Sequence, residues 1–346
     1  MQLPAHTDIP DSLGQSGVFA FNIIRGDLGR VRGLIDEQFD GCNDSIGRLL
    51  KDFRSRSGKM IRPALVLLAG ASCGKVTEEH IRVAAIIEII HNATLLHDDV
   101  IDEADKRRAL PTINDLWGNE SAVLLGDFLL SKASKMCAQL ESRINKVIAD
   151  ATVQVCEGEL RQVIQRRNWQ LSESEYIDII TEKSASFFRC ACFIGGLLAD
   201  ASKGQLRALA EFGCNTGIAF QITDDLLDII GDESKTGKTL GSDVDKSKLT
   251  LAVIHLLGRV GEAEKTAVID SLAAGGNLPG ERDAESAVRT KEGLVKMLSS
   301  YGSLEYAKKR AEQFVAKAIA ALAELQQSDA KDALIETARF VAARTV

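Results

Sequence analysis

The chain has 346 residues, a length that accommodates one large domain or two ordinary ones. Hydrophobic residues make up 45% of it and aromatic residues only 5%, and this excess of aliphatic side chains favours a core of packed helices over a β-sandwich. The net charge of −7 argues against nucleic acid as the main partner, because no basic stripe is present to contact phosphate backbones.

The predicted elements are helices almost throughout. Residues 1–17 are expected to form a flexible N-terminal arm, and residues 18–346 a single domain. No proline lies between Pro111 and Pro279, so this stretch can form a continuous helical bundle. Helices are predicted at 18–39, 43–55, 62–72, 78–102, 118–138, 143–166, 172–200, 203–231, 248–258, 262–274, 286–299, 303–325 and 329–344.

The N-terminus lacks the charged start and apolar centre of a signal peptide, and no apolar run approaches the roughly 18 residues of a membrane span. The seven cysteines are scattered and include no CxxC pair, which indicates reduced, mostly buried thiols. The sequence therefore predicts a soluble protein of the cytoplasm without a transmembrane segment.

Two aspartate clusters are the most informative feature, and each comes at the end of an apolar helical run. Both have the pattern DDxxD, as DDVID at 98–102 and DDLLD at 224–228. On a helix, positions i, i+1 and i+4 share one arc of the surface, so the three carboxylates of each cluster should face the same way. The aspartates concerned are Asp98, Asp99, Asp102, Asp224, Asp225 and Asp228.

Carboxylates grouped in this way repel one another unless a cation screens them. Proteins bind Mg²⁺ through one or two carboxylates together with phosphate oxygens and water. Two facing clusters could therefore hold one diphosphate between them through metal ions. The alternative is a merely solvated run of charge, which the apolar residues before both clusters disfavour.

Cations flank both clusters and suggest sites for two anionic ligands. The stretch GKMIRP places a lysine and an arginine about one helical turn apart, two arginines follow the first cluster, and lysines crowd the segment after the second. The cations singled out are Lys59, Arg62, Arg107, Arg108, Lys183, Lys238 and Lys248.

His91 raises a competing hypothesis, because EIIH at 88–91 has the Glu-x-x-His spacing of di-iron helical bundles. Such a site needs a second copy of the motif. The residues three positions before the other histidines are Leu3, Thr77, Thr94 and Ala252, so no second copy exists. His91 is left either as a hydrogen-bonded core histidine or as a ligand-binding residue.

These motifs resemble those of the trans-isoprenyl diphosphate synthase (polyprenyl synthetase) family, from about residue 40 to residue 344. LLHDDVIDEADKRRALPT resembles its first aspartate-rich motif and FQITDDLLDIIGDESKTGKTLGSD its second. The resemblance implies an all-α isoprenoid-synthase helical bundle around a deep central cavity, and it implies a homodimer. It also implies about three Mg²⁺ ions when substrate is bound, and these ions would neutralise negative charge on the diphosphate oxygens.

The resemblance further implies roles for single residues. The chief Mg²⁺ ligands would be Asp98, Asp102 and Asp224, supported by Asp99, Asp225 and Asp228. The diphosphate of isopentenyl diphosphate would be held by Lys59, Arg62, His91 and Arg108. The diphosphate of the allylic substrate would be held by Arg107, Lys183, Gln221 and Lys238, with Lys248 on a closing loop.

Three positions depart from the family pattern. Ala109 replaces the glycine after the arginine pair, and Ala252 replaces a proline after the pair Thr-Leu. Ser184 replaces the threonine after the catalytic lysine and retains a hydroxyl that could stabilise a developing cation, so activity is expected to survive. The implied reaction needs no side-chain nucleophile, because cations stabilise the departing diphosphate in a site that excludes water.

Product length is predicted from the helix before Asp98. At about 1.5 Å per residue, Thr94 lies roughly 6 Å below the carboxylates, Ile90 about 12 Å and Ile87 about 16 Å. Short-chain family members have bulky aromatic residues four or five positions before the first aspartate, where this chain has Thr94 and Ala93.

The small side chains of Thr94 and Ala93 leave the tunnel open, which predicts a long all-trans product of roughly six to ten isoprene units, such as a respiratory-quinone tail. It would be stopped near Ile90 and Ile87 or by the facing helix 118–138. The alternative is that another helix supplies the floor and the product is the C20 diphosphate.

Two rival functions are disfavoured. A terpene cyclase would not be expected to have a second DDxxD followed by a lysine-rich loop. A non-catalytic subunit of a heteromeric synthase would not need Asp98, Asp224, Lys183 and Lys59.

Overall fold

The computed structural model describes residues 22–40, 42–55, 58–107, 110–230, 248–273 and 291–343. Its first half contains helices α1 (Arg25–Glu37), α2 (Asp44–Arg54), α3 (Ile61–Cys73), α4 (Glu78–Ile101), α5 (Ile113–Trp117), α6 (Asn119–Cys137) and α7 (Ser142–Ile164). Its second half contains α8 (Glu173–Ile180), α9 (Ser186–Leu198), α10 (Lys203–Ile230), α11 (Leu251–Leu257), α12 (Glu262–Ala273), α13 (Lys291–Ser300), α14 (Ser303–Ala321) and α15 (Asp329–Ala343). The predicted all-α class is therefore confirmed.

The structure departs from the predicted helices in several places. Helix α1 is described from Arg25, and both the predicted helix start at residue 18 and the predicted arm at 1–17 lie outside the described residues. A two-stranded antiparallel hairpin, β1 (Lys106–Arg107) and β2 (Leu110–Pro111), was not predicted. Strands this short carry no alternating pattern that a sequence could reveal.

The predicted helix at 172–200 is interrupted. A π-helical segment at Thr181–Ala185 separates α8 from α9, and it carries Lys183 and Ser184. A single π turn widens the helix locally and re-aims the side chains on it, and such turns are frequent at functional sites.

The core is built around α3, α4, α9 and α10. Helix α9 packs on α3 and α10, α4 packs on α6, and α10 packs on α14. The contact between α9 and α3 is close because Gly195 has no side chain, and a Cβ there would lie 2.3 Å from the carbonyl oxygen of Val66. Leu65, Ile86 and Phe212 are fully buried in this core.

The amino end of α4 is tied to α9 by a buried histidine. The backbone N–H of Thr77, the N-cap residue, donates to Nδ1 of His80 at 3.0 Å, and Nε2 of His80 donates to the carbonyl oxygen of Gly195 at 3.0 Å. These bonds fix the helix that carries the first aspartate cluster against the core.

The prediction of mostly buried cysteines is wrong. Cys137, Cys190 and Cys192 are buried, Cys42, Cys73 and Cys214 are half-buried, and Cys156 is exposed on α7. All seven, each of which is described, are unpaired. Within the described ranges, no helix combines the length and apolar character that crossing a membrane requires.

Candidate active site

The first aspartate cluster lies at the carboxyl end of α4. Asp98 and Asp99 are in its last turn, and Asp102 is the C-cap residue. The carboxyl end of a helix carries partial negative charge, so carboxylates there are unfavourable unless cations compensate them. Four cations from other parts of the chain supply this compensation: Arg107, Arg166, Lys183 and Lys248.

Asp99 is buried and binds Arg107. The guanidinium donates to Oδ1 of Asp99 through Nε at 2.8 Å and approaches the same oxygen through Nη2 at 2.7 Å. Arg107 lies on β1, so the hairpin places this arginine beside the end of α4. The predicted diphosphate-binding arginine is thus positioned by an aspartate of the cluster itself.

Asp102 binds two cations, one through each carboxylate oxygen. Nη2 of Arg166 lies 3.2 Å from Oδ1, and Nζ of Lys248 donates to Oδ2 at 2.9 Å. Arg166 follows the end of α7, whereas Lys248 precedes α11 and is itself buried. Lys248, the lysine predicted for the closing loop, therefore contacts the first aspartate cluster although 146 residues of sequence separate it from Asp102.

Lys183 points from the π-helical segment towards the first cluster. Its Nζ lies 2.5 Å from Oε2 of Glu159 and donates to Oε1 of Gln162 at 2.7 Å, both on α7. Helix α7 comes this close because Gly158 has no side chain, and a Cβ there would lie 2.3 Å from the backbone nitrogen of Lys183.

The charge of Lys183 is stabilised although it is buried. Burial lowers the pKa of Lys183, but the negative charges of Asp98, Glu159 and Asp102 outweigh it and raise the pKa above its ordinary value. Lys183 is therefore a permanent cation at the first cluster.

Ser184 points to the second cluster, which lies near the carboxyl end of α10. Its hydroxyl donates to Oε1 of Gln221 at 2.6 Å, and Nε2 of Gln221 donates to Oδ1 of Asp225 at 2.7 Å. The hydroxyl of Tyr176 on α8 donates to Oδ2 of Asp225 at 2.6 Å. Asp225 is thus held by protein donors. Asp224 is half-buried beside it, and Asp228 is buried one turn further on.

The pKa of Asp98 is raised above its ordinary value. Burial raises the pKa of Asp98 to about 6, with a further contribution from the charges of Glu159 and Asp102 and opposition from Lys183 and Arg107. A carboxylate in this position gains from an additional cation nearby.

The aspartate oxygens could bind Mg²⁺ as part of its coordination shell, with a ligand and water supplying the rest. Among the described residues, no three His, Cys, Asp or Glu side chains converge into a preformed metal site. Mg²⁺ requires only one or two carboxylates when phosphate oxygens and water complete its shell, and the aspartates of both clusters are hard oxygen donors. The residues present therefore fit the ion together with a phosphorylated ligand.

The cations predicted to bind the second diphosphate lie at the start of α3. The Lys59 ammonium lies 5.9 Å from the ring centroid of Phe340 on α15, and the Arg62 guanidinium lies 4.9 Å from that of Phe188 on α9. Both contacts are cation–π interactions that limit the freedom of a long side chain. His91 lies on α4 two turns before Asp98 and is half-buried.

The structure does not test every predicted site residue. Arg108 and Lys238, together with Ala109, lie outside the described residues. Ala252 is buried in the first turn of α11, where an alanine fits the helix without strain.

The four predicted chain-length residues differ in exposure. Thr94 is half-buried and retains accessible surface, whereas Ala93 and Ile87 are 0% exposed and Ile90 is 4% exposed. Below Thr94, this face of α4 is therefore packed.

Four residues of the site were missed at the sequence level: Glu159, Gln162, Arg166 and Tyr176. Glu159 and Gln162 stand at i and i+3 after a glycine in EGELRQ, a pattern that indicates one polar helix face close to another backbone. Arg166 belongs to an ordinary polar stretch, QRRN, and no local pattern distinguishes Tyr176.

Comparison with known proteins gives consistent similarities. The Polyprenyl synthetase family model matches residues 43–289. The octaprenyl diphosphate synthase of Escherichia coli (strain K12) is 34% identical over 319 residues, which cover 92% of this chain and 96% of that protein.

Two crystal structures are similar over nearly the whole chain. A decaprenyl diphosphate synthase from Rhodobacter capsulatus is 32% identical with a TM-score of 0.84, covering 94% of this chain and 98% of that one. A polyprenyl synthase from Caulobacter crescentus CB15, complexed with calcium and isoprenyl diphosphate, is 28% identical with a TM-score of 0.88, covering 97% and 100%.

Proposed function

The chain belongs to the polyprenyl synthetase family, and we propose that it condenses isopentenyl diphosphate head-to-tail with an allylic diphosphate. The product would be a long-chain all-trans polyprenyl diphosphate of roughly six to ten isoprene units, because Thr94 is small enough to leave the tunnel along α4 open. The observation that carries the proposal is the placement of two adjacent residues: the charge of Lys183 is stabilised by Asp98 and Asp102 of the first cluster, and Ser184 binds Gln221, which binds Asp225 of the second.

In this reaction the allylic C–O bond breaks and pyrophosphate leaves. The freed allylic carbon bonds to the terminal alkene carbon of isopentenyl diphosphate, which then loses a proton to the departing pyrophosphate. The family's catalytic position is occupied by Lys183, whose permanent charge would stabilise the leaving group, and Arg107 and Lys248 would donate to the same diphosphate. The Ser184 hydroxyl, which donates to Gln221, would stabilise the positive charge that develops on the allylic carbon.

Mg²⁺, when bound, would supply neutralisation of charge on the leaving diphosphate. The ligands proposed for it are Asp98, Asp102 and Asp224, supported by Asp99, Asp225 and Asp228, with about three ions per bound substrate. The neighbouring negative charges of Glu159 and Asp102 support this assignment, because carboxylates grouped in this way are favoured by an added cation.

The second substrate would bind at the start of α3. Lys59 and Arg62 present two cations there, and His91 and Arg108 complete the set by family resemblance. The rings of Phe340 and Phe188 reduce the conformational freedom that these cations would lose on binding a diphosphate.

Product length would be set below Thr94. Thr94 leaves the first stretch of the tunnel open, and the growing chain would be stopped near Ile90 and Ile87 or by the facing helix α6. The packing of Ile90 and Ile87 in the core favours a second candidate, the C20 diphosphate, if these residues do not move during elongation. The printed names of the octaprenyl and decaprenyl relatives support the longer product.

A homodimer is the proposed assembly. Large apolar side chains are exposed on two consecutive helices, α6 and α7, and a second copy of the chain would bury them. These residues are Val123, Leu124, Val153, Leu160, Val163 and Ile164. A Leu124→Glu chain should shift from dimer to monomer in light scattering, while Ile46→Glu on α2 should remain a dimer.

One assay tests the activity against its rivals. Purified protein is incubated with Mg²⁺, labelled isopentenyl diphosphate and farnesyl diphosphate, and the products are sized by chromatography. Elongated diphosphates support the proposal. A cyclic hydrocarbon would indicate a terpene cyclase, and no turnover would indicate a non-catalytic subunit.

A further inference from the structure

Arg166 lies directly beyond α7 and reaches back to the first aspartate cluster. Its backbone N–H donates to the carbonyl oxygen of Val163 at 3.3 Å, so the residue belongs to the turn that ends the helix. The guanidinium lies 3.2 Å from Oδ1 of Asp102, and both side chains are largely buried, at 28% and 20% exposure. A contact this sheltered from solvent is weakly screened by salt.

Arg166 and Lys248 together place two positive charges on one carboxylate. Lys248 occupies Oδ2 of Asp102 at 2.9 Å, and Arg166 occupies Oδ1. The pair brings the same charge to Asp102 that one divalent cation would bring. A metal ion that binds Asp102 therefore meets two positive charges already in place and competes with them for this carboxylate.

Arg166 also has an unused donor. Its Nε is buried and has no hydrogen-bond acceptor among the described residues. Buried N–H groups without acceptors are unfavourable and uncommon. A guanidinium offers its donors as a planar fork that matches phosphate oxygens, so a diphosphate beside Asp102 would supply the missing acceptor.

We propose that Arg166 is an exchangeable counter-cation of the metal site. It holds Asp102 when no metal is bound and transfers to the diphosphate when metal and diphosphate arrive together. This inference rests on the proposed function, since it assumes that Asp102 binds Mg²⁺ and that the ligand is a diphosphate. The binding of the metal and the binding of pyrophosphate should therefore be coupled. Pyrophosphate accepts the displaced guanidinium and thereby raises the affinity of the site for the metal.

The test is calorimetric titration of Mn²⁺, as a probe for Mg²⁺, into the full-length protein with and without pyrophosphate. Arg166→Gln should bind Mn²⁺ alone about tenfold more tightly than the unmodified protein, since one charge-assisted contact no longer competes. The enhancement by pyrophosphate should fall by a similar factor. Arg167→Gln, with the same change of charge on an exposed neighbour, should match the unmodified protein.

A second variant separates charge from geometry. Arg166→Lys keeps the competing charge, so Mn²⁺ alone should bind as in the unmodified protein, but the loss of the Nε donor should reduce the enhancement by pyrophosphate. Thermal unfolding establishes that each variant is folded.

Two results would overturn the inference. If Arg166→Gln and the unmodified protein bind Mn²⁺ alike, Arg166 is not a competing cation, and the proposed function still stands. If the unmodified protein binds no Mn²⁺ even with pyrophosphate, both the inference and the proposed metal-diphosphate site are wrong.

Discussion

Lys183 and Ser184 are adjacent in the chain, yet their side chains interact with different aspartate clusters. Lys183 binds Glu159 and Gln162 and is stabilised by the charges of Asp98 and Asp102, whereas Ser184 binds Gln221, which in turn binds Asp225. An α-helix separates neighbouring side chains by about 100°. The π-helical segment places this pair between the clusters.

The hydroxyl of Ser184 should contribute measurably to turnover. Ser184→Ala removes one neutral hydrogen bond to Gln221, and a bond of this kind corresponds to a loss of roughly 2- to 12-fold in kcat. Ser184→Thr keeps the hydroxyl and should retain most of the activity. Steady-state kinetics with farnesyl diphosphate measures both, and equal loss in the two variants would contradict a role for the hydroxyl.

Phe340 should affect the KM for isopentenyl diphosphate and not the KM for the allylic substrate. Phe340→Leu removes the ring beside Lys59 while keeping apolar bulk, so the KM for isopentenyl diphosphate should rise about 2- to 5-fold. The KM for farnesyl diphosphate should stay the same, and Phe340→Tyr should behave as the unmodified protein. Equal changes in both KM values would show that α15 acts only through general stability.

Thr94 should limit the product when it is enlarged. Thr94→Phe fills the accessible space about 6 Å below the carboxylates and should shorten the product to a short-chain diphosphate. Thr94→Val, which is similar in volume to threonine, should leave the length unchanged. Chromatographic sizing of the products decides, and products of unchanged length from Thr94→Phe would exclude this position as a gate.

His80 should make the fold sensitive to acid. Burial lowers the pKa of His80 from its ordinary 6.5, so below that pH the unfolded chain binds a proton that the folded protein does not. The free energy of unfolding should therefore decrease as the pH is lowered, by at most about 1.4 kcal/mol per pH unit from this group.

Urea unfolding at pH 7.5 and pH 5.5 tests the contribution of His80. His80→Gln should be less stable than the unmodified protein at pH 7.5, because it disturbs the bonds to Thr77 and Gly195, and the difference should shrink at pH 5.5. Asp98 titrates in both proteins and cancels in the comparison. A difference that is independent of pH would contradict this assignment.

The aspartate clusters could be predicted because their signal is local. Three carboxylates at i, i+1 and i+4 after an apolar run need only the helical period to be placed on one face. Lys59, Arg62 and Lys183 could be assigned only by resemblance to the family, since a single lysine or arginine carries no pattern of its own.

The connections around the clusters could not be predicted because they depend on tertiary packing. The π-helical segment forms where α7 approaches Lys183 over Gly158, and neither the segment nor the contact is marked in the stretch TEKSASFF. Arg166 meets Asp102 across 64 residues of sequence. The exposure of Cys156 likewise follows from which face of α7 is covered, and residue type alone does not determine that.

We expect both aspartate clusters to bind one allylic diphosphate through metal ions, and a crystal structure of the protein with Mg²⁺ and a non-reactive allylic thiodiphosphate would show this. The expected structure contains one diphosphate whose oxygens are linked through metal ions to Asp98 and Asp102 on one side and to Asp224 on the other. If the diphosphate is bound to one cluster alone and the other cluster is turned away from it, the two clusters do not form one site.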